Sequence, residues 1–488
     1  MKLNDILKGI ECEVVGGSTD ITIDNLVYDS RKTTNNSLFI ALVGFNSDGH
    51  DYIDKAISMG ATAIICERDI VVSNDIAVVK VKNTRDVFCQ VCSNYFGNPE
   101  KFLTLIGITG TKGKTTTSFM IKKVLESASY KVGIIGTTGT YYLDKYYSNT
   151  NTTPESYELY KYMREMVDNG VEYLIMEVSS QALKVGRVKN LIFDYAIFTN
   201  LTLDHVGTNE HASFEEYIYC KSLLFKQSRI GIFNIDDTHY IDMTKECSCQ
   251  VYSYGTSDEA SLRCINIEYL HNNDFLGIKI KTNGLVEDTF MVNMPGKFSA
   301  YNAMAAITLG SLLNIDTDSI KDGLLNFKVR GRMERVDVSA RYSVFIDYAH
   351  NGVSMESILS TVKEYNPKRI VSLFGCGGNR SRDRRFDMGE VSGKYADLSV
   401  ITSDNSRYES FDDIAKDILV GMKKTNGKYI IIPDRKEAIK YCIENAQDGD
   451  VILILGKGHE DYQEINGERH PFDERVVIND IMKELGMK

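Results

Sequence analysis

The stretch Leu103 to Thr117, LTLIGITGTKGKTTT, constrains this chain more than any other, because an apolar run breaks into glycines and then into a Gly-Lys-Thr that opens a helix. Leu103, Leu105, Ile106 and Ile108 read as a buried strand, and Thr116 to Ser127 as the helix that follows. Gly110 and Gly113 let the backbone fold tightly, so that consecutive N–H groups and the helix dipole point at one anion. In that geometry Lys114 reaches the β and γ phosphates of a nucleotide and the Thr115 hydroxyl binds magnesium. The general pattern G-x-x-x-x-G-K-[ST] is not matched, since Ile108 stands where its first glycine belongs. The flanking strand and helix favour a phosphate cradle over a plain glycine turn.

At 488 residues the chain is too long for one ordinary core, and about three units of 100–200 residues are expected. With 43% hydrophobic and 25% charged residues, the composition is that of a soluble globular protein. No apolar run approaches ~18 residues and the first residues lack a basic-then-apolar leader, so a cytoplasmic protein without membrane insertion is expected. A net charge of −11 argues against a general nucleic-acid binder. Of the ten cysteines, Cys89 and Cys92 recur at helical spacing with Val87, Phe88, Val91 and Tyr95. They read as core residues rather than half of a zinc site, because no second C-x-x-C completes four ligands.

Three blocks follow, at 1–100, 101–329 and 330–488. The first alternates runs such as SLFIALVG and ATAIICE with an amphipathic stretch at Asp51 to Met59, a small α/β unit that ends near Gly97-Asn98-Pro99. The second holds the phosphate loop, the strand-like runs YLIME, FDYAIF and IGIFNID, a β-rich meander over 251–292 and a return to helix. The rhythm predicts a mostly parallel sheet with ligands at the strand C-terminal ends. In the third, YSVFIDYAH, RIVSLFGCGG, LSVITSDNS, YIIIPD and DVILILGKG predict a second, Rossmann-like doubly wound sheet. The fold class is α/β with three domains.

Glu177 ends the run YLIME and His205 follows DYAIF in TNLTLDH, so both belong at the sheet edge that carries the phosphate loop. With Thr115 they can converge on magnesium bridged to phosphate. Taken singly, Glu177 is equally a helix cap and His205 an ordinary surface or core histidine. Thr152, Thr153, Ser179 and Arg187 lie beside them and suit an anionic substrate, or simple capping. Arg31, after Ser30 in YDSRKTT, reads by itself as a surface arginine.

Together these motifs resemble the Mur ligases of peptidoglycan synthesis, over nearly the whole length. The family's T-G-T-x-G-K-T-T stands as Thr109 to Thr116, E-V-S-S as Glu177 to Ser180, T-N-L-x-x-D-H as Thr199 to His205 and D-Y-A-H as Asp347 to His350. G-C-G-G begins at Gly375, and G-K-G-H-E spans Gly456 to Glu460. The resemblance is to the members that add the third stem-peptide residue. It implies a monomeric, ATP- and Mg²⁺-dependent ligase that phosphorylates the D-glutamyl carboxylate of UDP-N-acetylmuramoyl-L-alanyl-D-glutamate and passes the acyl group to the amine of a diamino acid. By resemblance, Lys114, Glu177, His205 and Lys221 are catalytic, with Thr115, Glu177, His205 and a carbamylated Lys221 holding metal. Read without the resemblance, Lys221 is a solvated helix lysine. Gly110, Thr111, Gly113, Lys114, Thr115, Thr116, Asn302, Arg332, Asp347 and His350 match nucleotide contacts. Ser30, Arg31, Thr152, Thr153, Ser179 and Arg187 match positions around the UDP substrate, Ser30 and Arg31 in a UDP-binding first domain.

Members that use meso-diaminopimelate carry D-N-P-R, whose arginine binds the distal carboxylate; here the motif is Asp404-Asn405-Ser406-Arg407. Arg407 favours a zwitterionic distal end over a bare ammonium. Arg385, Gly456 and Glu460 match the other positions around that ligand, Glu460 facing the distal amine. Ser406 in place of proline frees φ at the turn, and Asn351-Gly352-Val353 replaces a usual Thr-Pro-Asp. Lysine or lanthionine as acceptor, a folylpolyglutamate synthase, and a non-catalytic nucleotide-binding relative are the competing readings.

Overall fold

The computed structural model describes residues 1–44, 47–203, 207, 211–245, 247–272 and 275–487. The chain forms two compact units, 1–261 with 305–320, and 262–304 with 321–488.

The first unit holds a five-stranded sheet in the order Glu13–Gly16, Ala77–Lys80, Ala61–Cys66, Ser37–Ile40, Asn25–Val27, parallel except for its first strand. The expected amphipathic stretch is the helix Ile53–Ser58, and the Gly97-Asn98 turn uses left-handed φ at both residues. Asn83 caps the helix Thr84–Tyr95 by accepting from the Asp86 amide, which aims Phe88, Cys89, Val91 and Cys92 into the core. Both cysteines are free and fully buried, as the helical spacing predicts, and burial pushes the Cys89 thiol up to about 12.

Six parallel strands of the same unit run in the order Gln250–Gly255, Ser228–Asn234, Phe193–Phe198, Thr104–Thr109, Tyr173–Glu177, Val132–Gly136. Helices cover both faces, so these strands are near-continuous apolar runs rather than alternating ones. Thr104–Thr109 is central, and the chain fills one side of it before crossing to the other. Its C-terminal end is therefore a topological switch point, where open parallel sheets bind ligands. In register, Glu177 lies opposite Ile108 and Phe198 opposite Thr109, so the loops after all three strands emerge together. Two antiparallel strands, Gly139–Tyr142 and Lys145–Tyr147, extend the Val132–Gly136 edge; the sequence reading had no strand there.

In the second unit the meander is three antiparallel strands, Leu262–Asn272, Phe275–Gly284 and Asp288–Val292. Its larger sheet has the order Glu334–Val336, Ser343–Asp347, Asp450–Leu455, Arg369–Phe374, Leu398–Ile401, Tyr429–Ile431, with only the first strand antiparallel. The five expected strands are all present. The edge strand Glu334–Val336 and the hairpin Tyr462–Ile465/Glu468–Pro471 are additions. Val344, Ile346, Leu373, Val400, Ile452 and Ile454 form the core beneath the helices Arg435–Glu444 and Glu474–Glu484. Among the described residues no helix is long and apolar enough to cross a membrane.

Candidate active site

The phosphate loop is built by steric necessity. Gly110 adopts φ +149°, and a Cβ there would lie 2.0 Å from the Thr199 hydroxyl oxygen, so only glycine fits. Thr199 donates to the Lys112 carbonyl (2.8 Å), and Asn200 brackets Lys112 by accepting from its N–H (3.0 Å) and donating to its C=O (2.9 Å). Gly113, at φ +85°, precedes the helix Lys114–Ser127 and supplies no capping side chain, which leaves the first-turn amides directed at the loop. Lys114 Nζ folds over the loop, donating to the carbonyls of Gly110 (2.8 Å) and Thr111 (3.0 Å). Thr116 is half-buried in the first turn.

Glu177 is fully buried beside this loop. Its Oε2 accepts from the hydroxyls of Thr115 (3.1 Å) and Thr137 (3.0 Å), and its Oε1 from the Thr137 amide (3.2 Å). Burial raises its pKa, while the Lys114 ammonium and these hydrogen bonds act in the opposite direction. A carboxylate and a threonine hydroxyl side by side are hard oxygen donors of the kind magnesium takes, so the residues fit that ion.

Lys221 corrects the reading made from its residue type alone: it is 2% exposed, not solvated. Ser213 caps the helix Phe214–Lys226 and sets its phase, so that Tyr217, Lys221, Leu224 and Phe225 turn inward together. Its Nζ donates to the Gly110 carbonyl (2.8 Å) and lies 4.6 Å from the Tyr217 ring centroid. The structure thus brings Lys114, Thr115, Glu177 and Lys221 to one loop; His205 lies outside the described residues. A further group with metal-ligand chemistry, His211, Glu216 and Cys220, lies on the same helix and its approach. Glu216 there already pairs with Lys184 at 2.9 Å and accepts from the Ala212 amide.

On the substrate side, the capping alternative is realised by Ser179, and Thr153 ties that cap to the end of the strand Tyr173–Glu177. Ser179 caps the helix Ser180–Lys184, and Thr153 donates to the Glu177 carbonyl (2.8 Å) while accepting from the Ser179 amide (3.0 Å). Thr152 meets Thr137, hydroxyl to hydroxyl, at 3.1 Å. Arg187 donates to Glu155 (2.9 Å) and to the Thr153 carbonyl (3.1 Å), and Arg85 binds the other oxygen of Glu155 at 2.8 Å. Two guanidiniums share one carboxylate, which leaves net positive charge on a cleft also lined by Lys184 and Lys189. Arg85 was not legible in sequence. Arg31 is 78% exposed and pairs with Asp29, and buried Ser30 opens the short 3₁₀ turn beside it. Both line a cleft of about 450 Å³ with Tyr28, Phe39, Tyr52 and Lys55.

In the second unit, buried Asp347 accepts from the amides of Met333 (2.7 Å) and Ala349 (2.8 Å). Burial raises its pKa against the pull of Arg332. The Tyr348 ring gathers Arg332 (5.2 Å), His350 (4.7 Å) and His459 (4.8 Å). Burial and the neighbouring arginines push His459 down to about 4, so it is neutral at physiological pH. Asn302 is buried on the helix Lys297–Leu312.

Arg385, Asp404, Asn405, Arg407, Gly456 and Glu460 line one pocket. Asn405 donates to Glu460 (2.9 Å), and fully buried Lys457, which sequence reading passed over, donates to both Asn405 (3.0 Å) and Glu460 (3.1 Å). Arg407 sits at φ +51°, donates to the Gly378 carbonyl (2.7 Å) and approaches Glu464 at 3.3 Å. Arg385 is 2% exposed and held by Asp417 (3.0 Å) and Glu409 (2.8 Å).

Asp417 carries a stability consequence. Its bonds to Arg382, and then to Arg385, hold its carboxyl below the usual range. A carboxyl lowered in the folded state adds stability that is complete above its unfolded pKa of about 3.9 and lost as pH falls through the folded value. Asp417→Asn removes one of two counter-charges from buried Arg385 and is expected to cost about 3 kcal/mol at neutral pH. The penalty, read by denaturant unfolding, should shrink as the pH is lowered below about 4.

Three family models match in chain order: the Mur ligase family catalytic domain at residues 22–92, the Mur ligase middle domain at 108–310 and the Mur ligase glutamate ligase domain at 331–458. The UDP-N-acetylmuramoyl-L-alanyl-D-glutamate--2,6-diaminopimelate ligase of Caldanaerobacter subterraneus subsp. tengcongensis is 42% identical over 488 residues, covering 99% of each chain. A solved structure of a ligase with that same name superposes with a TM-score of 0.75 at 27% identity, over 100% of this chain and 99% of its own. A Mycobacterium tuberculosis folylpolyglutamate synthase, complexed with ADP and AMPPCP, shares the fold at a TM-score of 0.58 and 14% identity over 76% of this chain and 92% of its own. The folylpolyglutamate reading therefore keeps only the fold. With a match of that identity along its whole length, the chain belongs to the Mur ligase family.

Proposed function

We propose that this chain is the ATP-dependent ligase that joins meso-2,6-diaminopimelate to UDP-N-acetylmuramoyl-L-alanyl-D-glutamate, acting as a monomer in the cytoplasm. Its domains are 1–100 for the UDP substrate, 101–329 for ATP and 330–488 for the amino acid. The observation that carries the reading is the pocket holding Arg407, Asn405 and Glu460 together, in a chain 42% identical to a ligase named for diaminopimelate.

In the reaction, the terminal phosphoryl group of ATP passes to the D-glutamyl carboxylate, and ADP leaves. The diaminopimelate amine attacks the acyl phosphate carbon, and phosphate departs from the tetrahedral species as the amine loses its proton. The loop amides of 110–113 and the Lys114 ammonium hold the phosphate oxygens and oppose the charge that develops on them. Thr115, Glu177, His205 and Lys221, if carbamylated, would hold magnesium, which would supply charge neutralisation to the phosphates. Asn302, Arg332, Asp347 and His350 contact the nucleotide, and Arg31 and Arg187 the anionic UDP substrate. Arg407 takes the distal carboxylate of diaminopimelate and Glu460 its distal ammonium.

The test is phosphate release by purified protein with ATP, magnesium and the UDP-dipeptide, with diaminopimelate, lysine, ornithine and lanthionine in parallel. Release with diaminopimelate far above the others is expected. Preference for lysine overturns the acceptor and keeps the ligase, whereas silence with all four overturns both.

A further inference from the structure

Two loops bring Asp404, Asn405 and Arg407, and Gly456 and Glu460, to the amino-acid pocket. One runs from Ser403 into Asp404-Asn405-Ser406-Arg407, after the strand Leu398–Ile401; the other runs from Leu455 into Gly456 to Glu460, after Asp450–Leu455. Beneath both lies Arg435, the first residue of the helix Arg435–Glu444, with a side chain 0% exposed. Its guanidinium donates to the Ser403 carbonyl (3.1 Å) through Nη1 and to the Leu455 carbonyl (2.8 Å) through Nη2. Those are the last carbonyls before each loop. The same guanidinium is fixed from behind by Glu474, also 0% exposed, at 2.8 Å from Nε and 2.6 Å from Nη2.

We propose that Arg435, locked by Glu474, is a positioning residue that sets the spacing of these two loops and hence the geometry of the diamino-acid pocket; this rests on the function proposed above. The planar fork holds its donors in fixed, divergent directions, so one side chain reaches the Ser403 and Leu455 carbonyls and a carboxylate at once. A buried ion pair is a weak source of net stability compared with apolar residues of the same volume. What this pair does supply is direction: three hydrogen bonds and a close ion-pair contact tie the starts of two loops to the starts of two helices. Asn405 and Glu460, one from each loop, meet at 2.9 Å across the pocket, so a shift of either loop breaks their contact.

Two variants test it. Arg435→Lys keeps the charge beside Glu474 but replaces the rigid, divergent donors of the fork with a single nitrogen. The double variant Arg435→Met/Glu474→Gln removes both buried charges together, so no orphaned ion is left to unfold the unit. Amide hydrogen exchange on the free proteins is expected to accelerate in 403–407 and 456–460 together, with the rest of the chain unchanged. KM for diaminopimelate is expected to rise about 10- to 100-fold, while KM for ATP and for the UDP-dipeptide stays at the wild-type value. A folded double variant with wild-type exchange in both loops, or with all three KM values raised alike, overturns the positioning role. A wild-type protein that releases no phosphate with any diamino acid overturns the functional reading instead, and the exchange measurement still decides whether Arg435 sets the loops.

Discussion

Lys114→Met is expected to lower the rate of phosphate release by about 10²- to 10³-fold, the loss typical when one charged donor is removed from a site where negative charge develops. The Lys114 ammonium donates to carbonyls of its own loop, Gly110 and Thr111. Methionine keeps the stem and its packing, so the melting temperature should hardly move. The loop amides and the helix N-terminus still attract phosphate, so KM for ATP should change less than kcat. A second effect follows from Glu177. Burial raises its pKa and Lys114 is the leading influence that lowers it. Without that ammonium the carboxyl rises further, and the acid limb of the residual activity should move to higher pH. A loss under tenfold, with an unmoved acid limb, would show that the amides alone carry the phosphate.

The parts of this molecule that sequence discloses are those where local chemistry and fold agree. Apolar runs ending in glycine or a polar loop gave four of the six parallel strands of the first large sheet and all five of the second, because such strands are buried on both faces and their hydrophobicity is continuous. Val132–Gly136 is not among the strands read from sequence, and Gln250–Gly255 merges there with the meander. The strands at Lys145–Tyr147, Glu334–Val336 and in the 462–471 hairpin are short, edge-placed and partly to largely exposed, and Gly139–Tyr142, though mostly buried between two neighbours, is only four residues long; their composition is hardly distinct from loop. Thr115 and Glu177 were legible as a pair because each follows a parallel strand and the register brings those strand ends side by side. Lys221 was not: a lysine between Cys220 and Ser222 shows nothing of its burial until the helix phase is known. The Arg85–Glu155–Arg187 triad and the Arg435–Glu474 pair join residues 32 to 102 positions apart, and only tertiary structure brings their charges together.

Arg407→Ala is expected to lower kcat/KM for diaminopimelate about 100-fold, about 3 kcal/mol for a charged bidentate contact, while leaving lysine, a poor substrate, unchanged or slightly better. The structure gives this arginine a precarious freedom. It stands at φ +51° where the family's usual proline has become Ser406, and the turn is kept by bonds from outside it: the Arg407 amide to the Glu464 carbonyl (2.9 Å) and its Nη1 to the Gly378 carbonyl (2.7 Å). Its Nε faces the Glu464 carboxylate at 3.3 Å. A distal carboxylate must therefore compete with Glu464, and Glu464→Gln is expected to lower KM for diaminopimelate by relieving that competition. Arg385 behaves differently, since Asp417 and Glu409 already balance it and it is buried. Arg385→Ala should cost stability by removing the buried bonds to Asp417, which keeps Arg382, and to Glu409, with lesser effect on the choice between diaminopimelate and lysine. Parallel kcat/KM ratios for the three variants separate the roles. If Arg385→Ala rather than Arg407→Ala erases the preference, the distal carboxylate lies against the buried arginine, and Glu464 has no part in choosing the substrate.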